Sequence, residues 1–314
     1  MCWHTLHQHG HQAHNAKNAD DMSIRKFARK VYSSIPFKQP VYTLLRALVP
    51  LPRSVYQHLH FKGIITVDVG EGRTFRMRHH GYMIENELFW RGMEGWERIS
   101  FRLWKELSHR ASIIVDIGAN TGVYALIAQA ANPQAQVIAV EPILRVYDKL
   151  MENIALNGSR IRAFRAAITD HDGTGIIYDQ KGAEHVLAVS MEPDWGGNKG
   201  RESVEIPVRT LPSIMKEAGG GPIDLLKIDV EGHEAAVLEG ARDLIRQDRP
   251  SILIEVLTSE SAVRLEPYFE GCGYIYFAID ELSWPPVRIP KLEKSPHYNI
   301  LVITPEKAAS IGLG

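Results

Sequence analysis

The 314-residue chain is poor in cysteine, with only Cys2 and Cys272, far apart. That excludes a disulfide framework and a cysteine-built zinc site, and it fits a reducing compartment. No apolar run approaches the roughly 20 residues that a membrane span needs. The opening MCWHTLHQHG has no apolar signal-peptide core. A cytoplasmic protein is therefore expected. Aromatics at 8%, charged residues at 23% and hydrophobic residues at 45% exclude a collagen-like, coiled-coil or wholly disordered chain. The length suits one domain of roughly 200 to 250 residues with a modest extension.

Acidic residues are missing from residues 22–63, which hold eight Lys or Arg. The net charge is −1 overall and residues 1–21 contribute −1, so residues 64–314 carry −8. A basic arm on an acidic body points to an anionic surface as the arm's partner, either a membrane at its inner face or the body itself. Nucleic acid is not expected, because the body is acidic and the basic arm short and separate.

Five segments follow. Residues 1–21, with His4, His7, His9, His11 and His14 at irregular spacing, read as a disordered leader. Residues 22–62 read as a basic helical arm with apolar periodicity at 24–35 and 41–49. Val41, Leu44, Leu45 and Leu48 fall on one stripe, which suits a helix packed on the main domain or an interfacial helix on anionic lipid. Residues 63–110 predict a β-hairpin (64–69 and 74–78 around GEGR) and a helical cap in the second half of 89–107. There Trp90, Arg91, Trp96 and Trp104 are expected in the core more than on a ligand. Residues 111–305 form the main domain, and 306–314 a tail.

In the main domain, strands at 113–115, 137–140, 161–167, 225–230 and 252–257 alternate with helices at 124–131, 144–156, 234–246 and 260–270. That alternation calls for a parallel sheet with helical crossovers. Residues 170–208 interrupt it as a hairpin-like insertion whose Glu184, His185 and Trp195 are candidates for a lid. Strands at 274–279 and 298–303 lack a crossover helix between them and should pair antiparallel.

The most informative segment is Val115-Asp116-Ile117-Gly118-Ala119-Asn120-Thr121-Gly122. Gly118 and Gly122 let the backbone turn tightly and admit a ligand without obstruction by Cβ, and the following helix directs its N-terminal amides there. Asp116 at the bend would repel a pyrophosphate and attract a cation. The spacing is also not G-x-G-x-x-G. S-adenosylmethionine, with its sulfonium and ammonium, fits better than a dinucleotide. Glu141, 23 positions after Gly118 and at a strand's end, is placed for ribose hydroxyls.

VDIGANTG, VEP, NIALN (153–157), AITDHDG, LLKIDVEGHE and RPSILIEV together resemble the FkbM family of S-adenosylmethionine-dependent methyltransferases. The resemblance covers about residues 85–305, including ENELFWRGMEGWE (85–97), and leaves 1–60 without a match. It implies a Rossmann-like class I methyltransferase fold and O-methylation of a sugar, polyketide or related product. It also implies a donor site at Asp116, Gly118, Asn120, Gly122 and Glu141, with Ala167 and Ile168 near the adenine.

The second cluster is Asp229, Glu231 and His233 in DVEGHE. Three roles are open to it. His233, with an ordinary pKa of about 6.5, suits a general base oriented by Asp229 or Glu231. Asp229 and Glu231, with Glu255, would otherwise hold a divalent metal, although no established ligand signature is present. Or the cluster makes the turn into the next helix. The expected enzyme transfers a methyl group to a hydroxyl of a glycan, glycolipid or small natural product. The alternatives are N- or C-methylation, or a non-catalytic donor-binding scaffold.

Overall fold

The computed structural model of the protein describes residues 37–180 and 201–314. The chain divides into two units, residues 1–63 and 64–314. The leader at 1–21, the apolar stretch at 24–35 and the lid candidates Glu184, His185 and Trp195 lie outside the described residues.

In the first unit, helices Lys38–Leu48 and Arg53–Tyr56 are separated at Pro50 and Pro52, which lack the amide that would continue a helix. Tyr42 is buried edge-on against Phe61, with ring centroids 6.2 Å apart. Val41, Leu44 and Leu48, on the other side, are exposed.

The second unit opens with strands β1 (Gly63–Gly70) and β2 (Arg73–His79), a two-stranded hairpin turning at Glu71 and Gly72, both at positive φ. Helices Met83–Arg91 and Arg98–Ser108 follow. Only the second of these has the amphipathic spacing from which a helix is predicted. Met83–Arg91 buries six consecutive residues, Glu85 to Trp90, so it shows no 3.6-residue period. Glu85 in its first turn fixes its start, accepting Tyr82 N at 3.2 Å and His80 N at 2.6 Å.

Then come β3 (Ile113–Ile117), β4 (Gln136–Val140), β5 (Arg162–Phe164), β6 (Ala167–Ile168), β7 (Gly173–Gln180), β8 (Arg201–Arg209), β9 (Leu225–Ile228), β10 (Ser251–Glu255), β11 (Ile275–Ala278), β12 (Val287–Ile289) and β13 (Asn299–Ile303). The main sheet has the order β12-β11-β13-β10-β9-β3-β4-β5. From β10 to β5 it is parallel, and β13 inserts antiparallel between β10 and β11. The expected antiparallel pair of final strands is therefore present, extended by β12 at the edge. This is a mostly parallel, helix-flanked α/β sheet, the Rossmann-like architecture that the resemblance implies. Its strands read as continuous apolar runs because they are covered on both faces: Val115, Ile138, Leu226, Ile254 and Val302 are buried in one core, and Ile114, Val137, Leu225 and Leu253 on the other face are buried as well.

Three differences from the predicted elements have local causes. The stretch 161–167 is two short strands, because β5 joins the main sheet while β6 leaves it to pair with β8 of the β7–β8 hairpin. The helix expected over 234–246 breaks into Glu234–Gly240 and Arg242–Asp248. Gly240 sits at the break where a Cβ would lie 2.4 Å from the Thr169 carbonyl oxygen, so the close approach requires glycine. Residues after 304 form helix Pro305–Ser310 and bury Ala308 and Leu313.

Candidate active site

The carboxyl ends of β3, β4, β9 and β10 meet at one edge of the sheet, where open α/β sheets bind ligands. Gly118, Asn120 and Gly122 of the loop after β3 all have positive φ, at 77°, 50° and 93°. The amides of Gly118 and Ala119 both donate to the Val140 carbonyl at 3.0 Å, which ties the loop to β4. Each glycine is also required by the protein's own packing. A Cβ on Gly118 would lie 1.8 Å from the Asp229 carbonyl oxygen, and one on Gly122 would lie 2.5 Å from Leu150 Cδ1.

Glu141 is buried at the end of β4, and both of its oxygens accept backbone amides: Asn120 N at 3.0 Å and Ile143 N at 2.9 Å. Burial pushes its carboxyl up to about 7 in spite of those donors. Asn153 supports the loop from the helix Leu144–Asn157, donating to the Thr121 carbonyl at 2.8 Å and accepting from Arg78 N at 2.8 Å. Asn157 makes the matching pair to Arg76, N–H and carbonyl both at 2.7 Å. The NIALN motif thus fastens the β1–β2 hairpin to the helix under the loop. Ala167 packs with Ile143 beyond Glu141, and Ile168 is buried beside it in β6. An open cleft of about 460 Å³ lies there, between Pro142–Arg145 and Val204–Pro207.

At the ends of β3 and β9 the electrostatics are different. Lys227, buried in β9, places its ammonium 2.6 Å from Asp229 Oδ2 and 4.5 Å from the centre of the Tyr124 ring. Burial works to lower its pKa, but Asp229, Asp116 and Glu97 together carry it well above the ordinary lysine value. Asp116 is buried, accepts Ala125 N at 3.1 Å, and is pushed up to about 6, first by burial and then by Asp229, against the pull of Lys227. Glu97, at φ 33° just before helix Arg98–Ser108, accepts the Tyr124 hydroxyl at 2.5 Å, and burial raises it to about 7. Glu255 at the end of β10 is driven furthest, to about 10, by burial and by Asp229 and Glu231. Its Oε2 has no hydrogen-bond partner among the described residues.

The turn after β9 runs through Glu231 and Gly232, both left-handed (φ 52° and 98°). It is stitched by buried Glu234, whose Oε1 accepts Gly232 N at 3.0 Å. His233 caps the next helix and places Nε2 3.1 Å from Thr169 Oγ1. Thr169 Oγ1 also lies 3.2 Å from Asp170 Oδ1. The turn therefore separates the predicted group: Asp229 faces Lys227, and His233 faces the end of β6. Among the described residues, no group of three or more His, Cys, Asp or Glu side chains is arranged to hold a metal ion.

The sequence profile of the methyltransferase FkbM domain matches residues 116–276, about half of the chain, from Asp116 at the bend to the middle of β11. The chain belongs to the FkbM methyltransferase family. It is 31% identical over 201 residues to methyltransferase sdnD of Sordaria araneosa, covering 55% of this chain and 77% of that protein. Against the 2-O-methyltransferase NoeI of Sinorhizobium fredii it is 32% identical over 149 residues, covering 44% of this chain and 60% of the relative. A crystal structure of an FkbM methyltransferase from Methylobacillus flagellatus superposes with a TM-score of 0.40 at 17% identity, over 61% of this chain and 43% of that one.

Within this FkbM methyltransferase, three residues at the carboxyl ends of the strands have no role in the sequence reading, although Glu97 and Lys227 fall inside its motifs. Glu97 lies upstream of the matched domain, Tyr124 opens an apolar helix, and Lys227 stands inside the strand LLKI. Lys227 alone carries a signal, because a charge in an otherwise apolar strand needs buried partners. Trp104 lies in the core, fully buried with Nε1 donating to the Tyr124 carbonyl at 2.9 Å.

Proposed function

We propose that this enzyme moves the methyl group of S-adenosylmethionine to a hydroxyl oxygen of a glycan, glycolipid or small natural product. One observation carries the donor: the excess of carboxyl groups around Lys227, which includes a Glu255 oxygen with no hydrogen-bond partner among the described residues. A pyrophosphate would be repelled by Asp116 and Asp229, whereas an ammonium and a sulfonium are attracted. Asp116, Gly118, Asn120, Gly122 and Glu141 would hold the donor. Ala167 and Ile168 would stand at its adenine end, beside the cleft with Ile143 and Ile206 in its walls. When bound, S-adenosylmethionine supplies an electrophilic methyl carbon. The hydroxyl acceptor is supported by NoeI, a relative named as an O-methyltransferase.

The chain's own part is to hold the acceptor in line and to take its proton. In this reading His233 accepts it, with Asp229 and Glu231 on the same turn. A second base has its own observation: Glu97, raised to about 7, is tuned to neutral pH and oriented by Tyr124.

Calorimetric titration of S-adenosylmethionine and transfer of labelled methyl to hydroxylated glycans, on wild type, His233→Gln and Glu97→Gln, test the proposal. All three bind donor, and His233→Gln loses roughly 10²–10⁴-fold in kcat. The same loss confined to Glu97→Gln would move the base to Glu97. Donor affinity rises from pH 5.5 to 7.5, with proton release, because a cation favours the ionised forms of Asp116 (about 6) and Glu141 (about 7). Folded wild-type protein that binds no donor overturns the reading.

A further inference from the structure

We infer that helix Lys38–Leu48 is a docking surface for an anionic lipid membrane, laid flat with one apolar stripe in the headgroup boundary. Val41, Leu44 and Leu48 recur at the i, i+3, i+7 spacing of one helical face and are 57%, 62% and 70% exposed, and Phe37, at the left-handed position before the helix, is 78% exposed. Exposed residues of that size normally scatter singly, and three on one stripe with Phe37 next to them in the chain form a contact surface. Val49 and Val55 extend the apolar exposure past the helix. The opposite side is settled within its own unit, where buried Tyr42 meets Phe61.

Charge selects the occupant. Residues 22–63 hold eight Lys or Arg and no acid, and Lys38, Arg46, Arg53 and Lys62 fall on or near the two helices. An apolar face with basic flanks is what an interfacial helix on anionic lipid requires. A second copy of the same arm would bring two such positive segments together, which disfavours self-pairing. Helix Lys38–Leu48 has 11 residues, and no helix among the described residues is long and apolar enough to cross a membrane, so the contact is peripheral.

The test is sedimentation of the full chain with vesicles of phosphatidylcholine alone or with one third phosphatidylglycerol, at low and high salt. Leu44→Glu with Leu48→Glu is the variant, its fold checked by circular dichroism. The wild type pellets with the anionic vesicles at low salt and is released by high salt, and the double variant's partition falls at least about tenfold. Equal pelleting with both vesicle types, or equal pelleting of both proteins, overturns the proposal. So does a wild-type dimer in light scattering that the double substitution dissolves, because the stripe would then belong to a second copy. The salt and lipid dependence of the wild type decides the case even where the variant misfolds.

Discussion

Two neighbouring parts of the sheet edge treat their carboxyl groups in opposite ways. At the end of β4, Glu141 is satisfied by the backbone, with one amide on each oxygen, and it fixes the shape of the loop. At the ends of β3, β9 and β10, Asp116, Glu97, Asp229 and Glu255 crowd around Lys227, and a Glu255 oxygen is left without a partner among the described residues. The first arrangement stores shape and the second stores charge. A buried excess of like charge costs folding free energy, and a cationic ligand recovers it by mass action. The loop and the charged floor therefore do separate jobs, and substitutions in them should fail in separate ways.

The largest effect, on folding and donor binding together, is expected at Gly118. An added Cβ would lie 1.8 Å from the Asp229 carbonyl at a φ of 77°. Gly118→Ala should cost about 3 kcal/mol or more and abolish donor binding, because β3 must part from the β9 turn. A thermal midpoint within a degree or two of wild type would break the comparison, since the loop would then not be built to shape.

Lys227→Met comes next and probes charge. Removing one partner of a buried pair costs about 3 to 5 kcal/mol by leaving its carboxylates uncompensated. The pH dependence separates this from lost packing. Asp116 has its folded pKa raised to about 6 and Glu97 to about 7, so each contributes stability below its unfolded value that is lost as pH rises through the folded one. Without the ammonium both shift further up, so the variant's deficit in denaturant unfolding should be large at pH 8 and shrink by pH 5. A deficit that stays constant with pH would assign Lys227 a packing role.

Much of this edge is legible in the sequence, for identifiable reasons. The parallel strands show because burial on both faces makes them continuous apolar runs, and the loop shows because its left-handed positions select Gly118, Asn120 and Gly122. The cause of the glycines is not legible, because the Asp229 carbonyl that crowds Gly118 comes from a strand more than a hundred residues away. The separation of His233 from Asp229 is hidden too. Adjacent residues of a left-handed turn point apart, and only the fold brings Thr169 under the imidazole. Glu97 is one of three acids in the mixed-charge stretch 89–107, and its surroundings include Tyr124 and Lys227, which arrive from two other elements.

The smallest expected effect sharpens the same contrast from outside. Asn157 gives the hairpin a strand-like pair of hydrogen bonds to Arg76 and is half-buried, so water replaces much of what is lost when it is truncated. Asn157→Ala should cost about 1 to 2 kcal/mol in denaturant unfolding. Donor affinity should stay unchanged, because Asn153 still holds Thr121 at 2.8 Å and Glu141 still holds Asn120. The deciding measurement is calorimetric titration of the variant with S-adenosylmethionine. A weakened donor affinity at full folding would mean that the hairpin transmits strain into the loop, and the division between a part built for shape and a part built for charge would have to extend to β2.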